Sequence, residues 1–265
     1  PKPRYVPLEP NAAIIARYAR GRDYHKTMRG RLKTLSAKIR EKVGDFEARP
    51  FADSAPVFEK SLAENAGMGW TGKHTLLIHK KSGSFFVLGE LFTSLELPFD
   101  TPTTKHCGSC TACIDICPTQ AIVEPYMLDT PKFIVYLTIE YKCIIAEELR
   151  RGIGNRVFGC DDCQLICPWN SFAKKTSIED FHPRHGLDQV SLLDLWQWDE
   201  ATFLSCTEGS PIRRTGYQSF MRNIAIGLGN ADFSPAIIQA QTRELHDEIV
   251  QVHIDWAIAE QYSKN

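Results

Sequence analysis

Residues 107–118 of the chain read CGSCTACIDICP, and the four cysteines of this stretch decide which kind of fold the chain can adopt. They are separated by two, two and three residues, and a proline follows the last one. Bacterial proteins with two [4Fe–4S] clusters use this spacing: three thiolates on a tight loop bind one cluster, and the fourth ligates the other. Zinc is the alternative, although zinc sites usually combine two Cys-x2-Cys pairs. The spacing therefore favours iron–sulfur clusters.

A second cysteine group, residues 160–168, reads CDDCQLICP and repeats the last part of the first motif with one cysteine fewer. In a crossed arrangement, the first three cysteines of one motif share a cluster with the last cysteine of the other. The second cluster then needs a fourth ligand, and the nearest spare thiol is Cys143. The predicted ligands are Cys107, Cys110, Cys113 and Cys167 for the first cluster and Cys117, Cys160, Cys163 and Cys143 for the second. The ninth cysteine, Cys206, is predicted to be a small buried residue of a helix.

The composition is that of an average globular protein, with 265 residues, 43% of them hydrophobic and 24% charged. It excludes a disordered, collagen-like or low-complexity chain. No apolar stretch reaches the roughly 18 residues of a membrane span, and residues 1–4 open no secretory signal. Clustered cysteines without such a signal favour metal binding over disulfides, so a cytoplasmic protein with no membrane contact is expected.

The net charge of −1 hides a basic segment at the beginning of the chain. Residues 1–49 hold thirteen Lys and Arg against five acids. Such a segment can bind a polyanion although the whole chain is nearly neutral. The alternative is a basic helix face that contacts only solvent.

The pattern along the chain predicts an α+β protein in three parts. These are residues 1–98, a cysteine-rich two-cluster module at 99–175 and a helical region at 176–265, with a Pro- and Thr-rich linker at 98–104. The predicted helices are 11–20, 23–43, 54–66, 144–151, 191–198, 200–205, 216–227, 235–242 and 248–261. A β-hairpin is predicted from residues 74–78 and 84–91, and a strand over 133–139.

Several further motifs occur in a fixed order. They are RDYHK (22–26), DSAP (53–56), GWTGKH (69–74), GSFF (83–86), YLTIE (136–140), IGNR (153–156) and GCDDCQLICPWN (159–170). Together they resemble the epoxyqueuosine reductase family, and the likeness covers about residues 12 to 230. The resemblance implies a cobalamin-binding reductase domain with a nitroreductase-like sheet and helices, a ferredoxin-like two-cluster module and a HEAT-like C-terminal helical region.

The resemblance also implies an activity. A family member reduces epoxyqueuosine at the wobble position of tRNA to queuosine, with loss of water, as the final step of queuosine biosynthesis. Two [4Fe–4S] clusters would pass electrons from an external donor to cob(II)alamin. The implied partner is the anticodon stem-loop of a tRNA with a queuosine-type wobble base, and a monomer is expected. The alternatives are a cobalamin-dependent reductive dehalogenase, which needs no basic segment, and a plain ferredoxin-type electron carrier, which needs nothing like the first hundred residues.

The candidate proton donor is Asp53, by the family match. From the sequence alone, an N-cap of the following helix is an equal interpretation. Asp23 and His25 are either contacts to substrate or cofactor, or a helix cap and a surface histidine. Lys73 and His74 are either contacts to phosphate or corrin amides, or an exposed hairpin entry. The cobalamin-binding residues implied by the resemblance are Ala16, Asp23, His25, Asp53, Leu77, Leu88 and Val135.

The predicted tRNA contacts are the basic residues of 17–42 together with Arg213 and Arg214. An unpaired base is usually read by splaying and stacking. Tyr24, Trp70 and Tyr217 are candidates for this stacking, although aromatic residues are more often part of a core.

Two features depart from the family pattern. Phe133 stands where the family has its eighth cluster cysteine, and Cys143 follows ten residues later. Either Cys143 takes its place, or the second cluster keeps an iron without a cysteine ligand. Family members also carry a longer segment before the position of residue 1, so the chain is expected to lack part of the cobalamin-binding domain.

Overall fold

The computed structural model describes residues 9–241 and 247–265, and these residues form helices and short strands, as predicted for an α+β protein. The helices are α1 (Tyr24–Val43), α2 (Glu59–Asn65), α3 (Ala112–Asp115), α4 (Glu147–Ile153), α5 (Asp162–Leu165), α6 (Leu192–Trp196), α7 (Glu200–Cys206), α8 (Tyr217–Asn230), α9 (Pro235–Gln241) and α10 (Glu248–Ser263). The strands are β1 (Ile14–Ile15), β2 (Ala48–Phe51), β3 (Trp70–Thr71), β4 (Leu77–Ile78), β5 (Glu90–Thr93), β6 (Ile122–Glu124), β7 (Met127–Leu128) and β8 (Arg156–Phe158). None of the helices in these two ranges has the length and apolar character to cross a membrane.

The strands pair two by two. β1 runs parallel to β8, whereas β2 with β5, β3 with β4 and β6 with β7 are antiparallel pairs. The parallel pair joins the beginning of the chain to the segment before the second cysteine group, because Ala16 N donates to Phe158 O at 2.8 Å. This pairing brings residues far apart in sequence to one place beside the cysteines.

The main hydrophobic core lies among the C-terminal helices. Helix α8 is buried along almost its whole length and packs against α6, α7 and α10, with β8 at its side. A helix buried on nearly every side forms the centre of a core, and the polar side chains of α8, Arg222 and Asn223, are buried with hydrogen-bond partners. The five predicted C-terminal helices are confirmed within a few residues, although Thr242, predicted as the last residue of its helix, lies outside the described residues.

Helix α1 carries most of the basic residues of the first fifty positions. Its predicted ends are confirmed: the Asp23 side chain accepts from the backbone N–H of His25, and Gly44 follows the last turn with a φ of 85°. The helix buries Leu32 and Ser36, while Leu35, predicted on the same face, is 48% exposed. The basic side chains therefore cover most of the helix surface.

Two predicted elements before residue 100 differ from the structure. Residues 11–20 form strand β1 and a short 3-10 helix instead of the predicted α-helix, because pairing with β8 overrides the local pattern. The predicted hairpin is wrong as well. Strand β4 pairs back to β3, β5 pairs with β2, and the isolated bridge between His79 and Gly83 lies in the predicted turn, outside both predicted arms.

Two further elements differ from their predictions, one in where it begins and one in its type, and the hydrogen bonds give the reasons. The helix predicted over 54–66 begins only at Glu59, because Ala52 to Val57 form tight turns around Asp53. Residues 133–139 were predicted as a strand, but Tyr136–Glu140 form a π-helix. Side chains of α8 bind its backbone: Arg222 donates to Leu137 O and Asn223 donates to Thr138 O. A π-helix is rare and is often found at functional sites.

Candidate functional site

Four cysteines from the two motifs line one cavity of about 490 Å³. They are Cys107, Cys110, Cys113 and Cys167, the set that the crossed arrangement requires for the first cluster. Burial, followed by the neighbouring Cys167, Cys107 and Cys110, raises the pKa of the Cys113 thiol to about 11. Trp70 and Ile78 pack against Cys167 and keep this wall of the cavity dry.

Three further cysteines, Cys117, Cys160 and Cys163, lie near one another. Burial raises the pKa of Cys163 well above its ordinary value, and the nearby Cys160, Cys113, Asp161 and Cys117 raise it further, so the two groups of thiols are neighbours. Burial likewise raises the pKa of Cys160 to about 12. The backbone N–H of Ala121 donates to Cys117 Sγ at 3.3 Å. These are the three thiols expected to share the second cluster.

Both groups of thiols fit iron–sulfur clusters and do not fit a single metal ion. In the ranges 9–241 and 247–265, no three His, Cys, Asp or Glu side chains come close enough to ligate one ion. A cubane cluster is larger than one ion and holds its thiolates farther apart. Burial raises the pKa of four of these thiols, Cys113, Cys160, Cys163 and Cys167, so a strongly cationic partner is needed to keep them deprotonated.

Cys143 is exposed and lies at a turn that follows the π-helix. The backbone of this turn is fixed by the fully buried Arg222, which donates to Tyr141 O at 2.8 Å and to Cys143 O at 2.9 Å. Burial lowers the pKa of Arg222 to about 10, so its guanidinium is still charged at neutral pH. The thiols described above as neighbours of Cys163 do not include Cys143, and its role as the eighth ligand stays a prediction. Cys206, predicted as buried, is only half-buried at the end of α7.

A second cavity, a cleft of about 520 Å³, is lined by both predicted acidic residues, Asp23 and Asp53. Its lining residues are Tyr18, Asp23, Tyr24, His25, Lys26, Asp53, Val135, Ile139, Glu140, Phe158, Gly209, Ser210, Pro211, Arg213 and Arg214. Four of the seven predicted cofactor contacts are among them. The other three, Ala16, Leu77 and Leu88, are not in this lining and stay predictions; Ala16 and Leu77 are buried.

Asp53 is the centre of a hydrogen-bonded group in this cleft. Tyr24 Oη donates to Asp53 Oδ2 at 2.6 Å, and His25 Nε2 lies 3.2 Å from the same oxygen. On the other side of the ring, His25 Nδ1 lies 2.7 Å from Asp23 Oδ1. Burial and the hydrogen bond to Asp53 raise the pKa of Tyr24, so the phenol stays protonated and keeps donating. One imidazole thus bridges two carboxylates.

The alternatives for these residues can now be separated. Asp53 is not a helix cap: α2 begins at Glu59 and its N-cap position is Phe58. Instead, Asp53 has a φ of 54°, a left-handed conformation that Asp and Asn adopt more readily than most residues. Asp23 does cap α1, as one interpretation predicted, and it also contacts His25; its contact to substrate or cofactor stays a prediction.

Two glutamates, Glu59 and Glu90, lie next to the turn that contains Asp53. The backbone N–H of Asp53 donates to Glu59 Oε1. Glu90, at the start of β5, lies beside Glu59, and burial together with this second carboxyl raises the pKa of Glu90 to about 7. The raised pKa of Glu90 favours its neutral form, which lowers the repulsion between the two carboxyls. No sequence pattern indicates this pair, because Glu59 begins α2 and Glu90 begins β5.

The rim of the cleft is basic. Lys26, Arg213 and Arg214 line it, and Arg214 forms an ion pair with Glu140 at 3.0 Å. Of the predicted stacking aromatics, Tyr24 is in the cleft, whereas Trp70 is only 1% exposed. Tyr217 donates to Trp198 O and packs against Phe203, so it belongs to the core.

The two thiol groups and the acid-bearing cleft define the class of an iron–sulfur oxidoreductase. Residues 106–170 match the 4Fe-4S double cluster binding domain, and residues 1–54 match the family described as epoxyqueuosine reductase QueG, DUF1730.

Known relatives identify the family. The chain is 56% identical to the epoxyqueuosine reductase of Xanthomonas campestris over 250 residues, 94% of this chain and 70% of that protein. It is 50% identical to that of Escherichia coli K12 over 256 residues, 96% of this chain and 68% of the relative. The crystal structure of an epoxyqueuosine reductase with an epoxyqueuosine-modified tRNA-Tyr stem loop superimposes with a TM-score of 0.88 at 26% identity, covering 97% of this chain and 70% of that one. The chain belongs to the epoxyqueuosine reductase family.

Proposed function

We propose that this chain reduces epoxyqueuosine to queuosine in the anticodon loop of tRNA. The reaction removes the epoxide oxygen as water and leaves an alkene, so it consumes two electrons and two protons. The observation that supports this function best is the hydrogen-bonded group around Asp53, which presents a carboxyl group in a cleft next to a double-cluster module. General acid catalysis needs such a group within reach of the leaving oxygen.

In this proposal each residue of the cleft has a task. Asp53 donates a proton to the epoxide oxygen. Tyr24 and His25 hold Asp53 Oδ2 in place, and Asp23 orients the imidazole from its far side. Because Tyr24 remains protonated, it keeps donating to Asp53 Oδ2 and fixes the direction of the carboxyl group in the cleft.

Cobalamin is proposed as the cofactor that delivers the electrons to the substrate. Val135, Ile139 and Phe158 form an apolar part of the cleft, which fits the wide hydrophobic face of a corrin. When bound, cobalamin supplies a reduced cobalt centre for electron transfer. Phe158 stands two residues before Cys160 in the chain, so the second thiol group is next to the cleft. This order supports a path from an external donor through the first cluster and then the second cluster to the cleft.

The function is tested by reconstituting the chain anaerobically with iron, sulfide and cob(II)alamin. With dithionite as the electron donor, a single-turnover assay on an anticodon stem-loop with epoxyqueuosine should give queuosine in amounts equal to the enzyme. The ultraviolet–visible spectrum should show corrin bands on top of the broad absorption of the clusters. Clusters without retained cobalamin and without turnover would contradict the reductase and favour a plain electron carrier. Chloride release from a chlorinated phenol would favour the dehalogenase.

The eighth ligand gives a separate prediction. If Cys143 completes the second cluster, the reconstituted chain should hold about eight irons, and Cys143→Ser should lose the signal of the second cluster. The matched control is Cys206→Ser, which removes a thiol outside both groups and should keep all irons. Iron and sulfide content are determined chemically, and EPR detects the signal of each cluster. Seven or eight irons in the wild type, with cluster signals unchanged by Cys143→Ser, would show that Cys143 is not the eighth ligand.

A further inference from the structure

Two buried nitrogen atoms near the first thiol group have no hydrogen-bond partner. They are Trp70 Nε1 and His74 Nε2, and the two residues are 1% and 4% exposed. Buried donors are nearly always paired in folded proteins, so each unpaired one calls for an explanation. The predicted contact of His74 with phosphate or corrin amides does not explain the unpaired nitrogen, because the side chain is buried and lines the cavity of the cysteines.

The proton of His74 can be placed from its other nitrogen. His74 Nδ1 accepts a hydrogen bond from the backbone N–H of Leu76 at 3.1 Å, so Nδ1 carries no hydrogen. The neutral imidazole then carries its hydrogen on Nε2. Gly72 gives the ring its space: a Cβ at Gly72 would lie 2.9 Å from the ring carbon Cε1 of His74. The segment is built to hold a neutral imidazole with a free N–H.

The acceptors near these donors are sulfur atoms. His74 lines the cavity together with Cys107, Cys110, Cys113 and Cys167, and Trp70 packs directly against Cys167. The chain already uses N–H donors on its cluster thiols. Ala121 N donates to Cys117 Sγ, and the backbone N–H groups of Trp169 and Asn170 lower the pKa of Cys167, against the larger effect of burial.

We propose that His74 Nε2–H and Trp70 Nε1–H donate hydrogen bonds to sulfur atoms of the [4Fe–4S] cluster held by Cys107, Cys110, Cys113 and Cys167, and that these hydrogen bonds raise the reduction potential of this cluster. Hydrogen bonds to the sulfurs and nearby charge are the main protein contributions to such potentials. This inference rests on the cluster ligands of the proposed function.

A positive charge beside the first site acts in the same direction as the two N–H donors. Lys73 Nζ donates to Gly108 O at 2.7 Å and to Cys110 O at 3.0 Å, and a nearby positive charge favours reduction of a cluster. Beside the second site the charges are balanced, because the carboxylate of Asp162 forms an ion pair with Arg156 and Asp161 Oδ2 accepts from the backbone N–H of Arg17.

The test is an anaerobic redox titration of the reconstituted chain, followed by EPR, with iron and sulfide measured first. His74→Leu should lower the potential of one cluster and leave the other unchanged. We expect a roughly tenfold change in the ratio of reduced to oxidised cluster at a fixed potential, which is about 59 mV for a one-electron couple. His74→Gln, which keeps an N–H donor, should restore most of the shift.

The matched control is His79→Leu, in the same segment but outside the cavity lining, which should change neither potential. If His74→Leu does not retain its iron, the same titration is carried out on Trp70→Phe, which removes one N–H and keeps a large aromatic ring. Its potential then tests the inference. Unchanged potentials in His74→Leu, or in Trp70→Phe in that case, would overturn the inference. Equal shifts of both clusters would overturn it as well. Absence of clusters in the wild type would instead contradict the proposed function.

Discussion

Replacing Asp53 by Asn should lower the single-turnover rate of epoxide reduction by roughly 10²- to 10⁴-fold, the usual contribution of a general acid. The amide cannot transfer a proton, although its oxygen can still accept from Tyr24 Oη. The backbone should be unchanged, because Asn tolerates the left-handed conformation at this position as well as Asp does. Cluster content, stem-loop affinity and melting temperature should therefore stay at wild-type values.

The measurement is an anaerobic assay on the modified stem-loop, run beside a melting curve and an iron determination. Asp45→Asn is the matched control, since Asp45 is exposed in the loop after α1 and does not line the cleft. It should react at the wild-type rate. Near-normal turnover in Asp53→Asn would remove Asp53 from the mechanism. Asp23, which shares His25 with it, would then be the next acid to replace.

The features that could be predicted from the sequence are those encoded by local spacing. The motif at residues 107–118 predicts the cluster loop, and the crossed sharing of Cys167 agrees with the cavity that the four thiols line. Helix α1 was predicted because Asp23 and Gly44 mark its ends and a short apolar stripe gives its period. The helices after residue 190 carry similarly strong periodicity.

The features that could not be predicted depend on partners distant in sequence. Residues 11–16 belong to a segment whose local pattern predicts a helix, but β8 supplies backbone hydrogen-bond partners and the segment pairs with it instead. Residues 133–139 read as a strand because they are rich in β-branched and aromatic residues, but two side chains of α8 bind the carbonyls of the π-helix. No pattern within either segment reports those partners.

The same reason limits prediction of the site. The resemblance pointed to Asp53, Asp23 and His25 individually, but it did not say that one imidazole bridges both carboxylates. Tyr18 and Phe158 were not predicted in the cleft at all. They are 140 residues apart and meet, with ring centroids 6.2 Å apart, through the pairing of β1 and β8. A site assembled from several short elements becomes visible only when those elements are placed.

Binding of the tRNA stem-loop should weaken steeply with salt, because Lys and Arg contacts to phosphates release counterions. The basic side chains Arg29, Arg31 and Lys33 are exposed on α1, the helix whose Lys26 lines the cleft of Asp53. A complex with six to ten phosphate contacts loses about 10³- to 10⁵-fold in affinity between 50 and 200 mM salt. Replacing Arg29, Arg31 and Lys33 together with Ser should reduce the slope of log affinity against log salt by about 2 to 3 units, at 0.7–0.9 per contact.

The decisive comparison is with a variant that loses the same charge elsewhere. Lys81, Lys174 and Lys175 are exposed and lie outside the cleft lining, so their replacement by Ser should leave the slope nearly unchanged. Both triple variants have the same net charge, and a general electrostatic attraction would weaken equally in both. Fluorescence anisotropy of a labelled stem-loop at several salt concentrations measures the slopes. Equal slopes in the two variants, or affinity independent of salt in the wild type, would mean that the basic face of α1 contacts only solvent and that the tRNA approaches the cleft from another side.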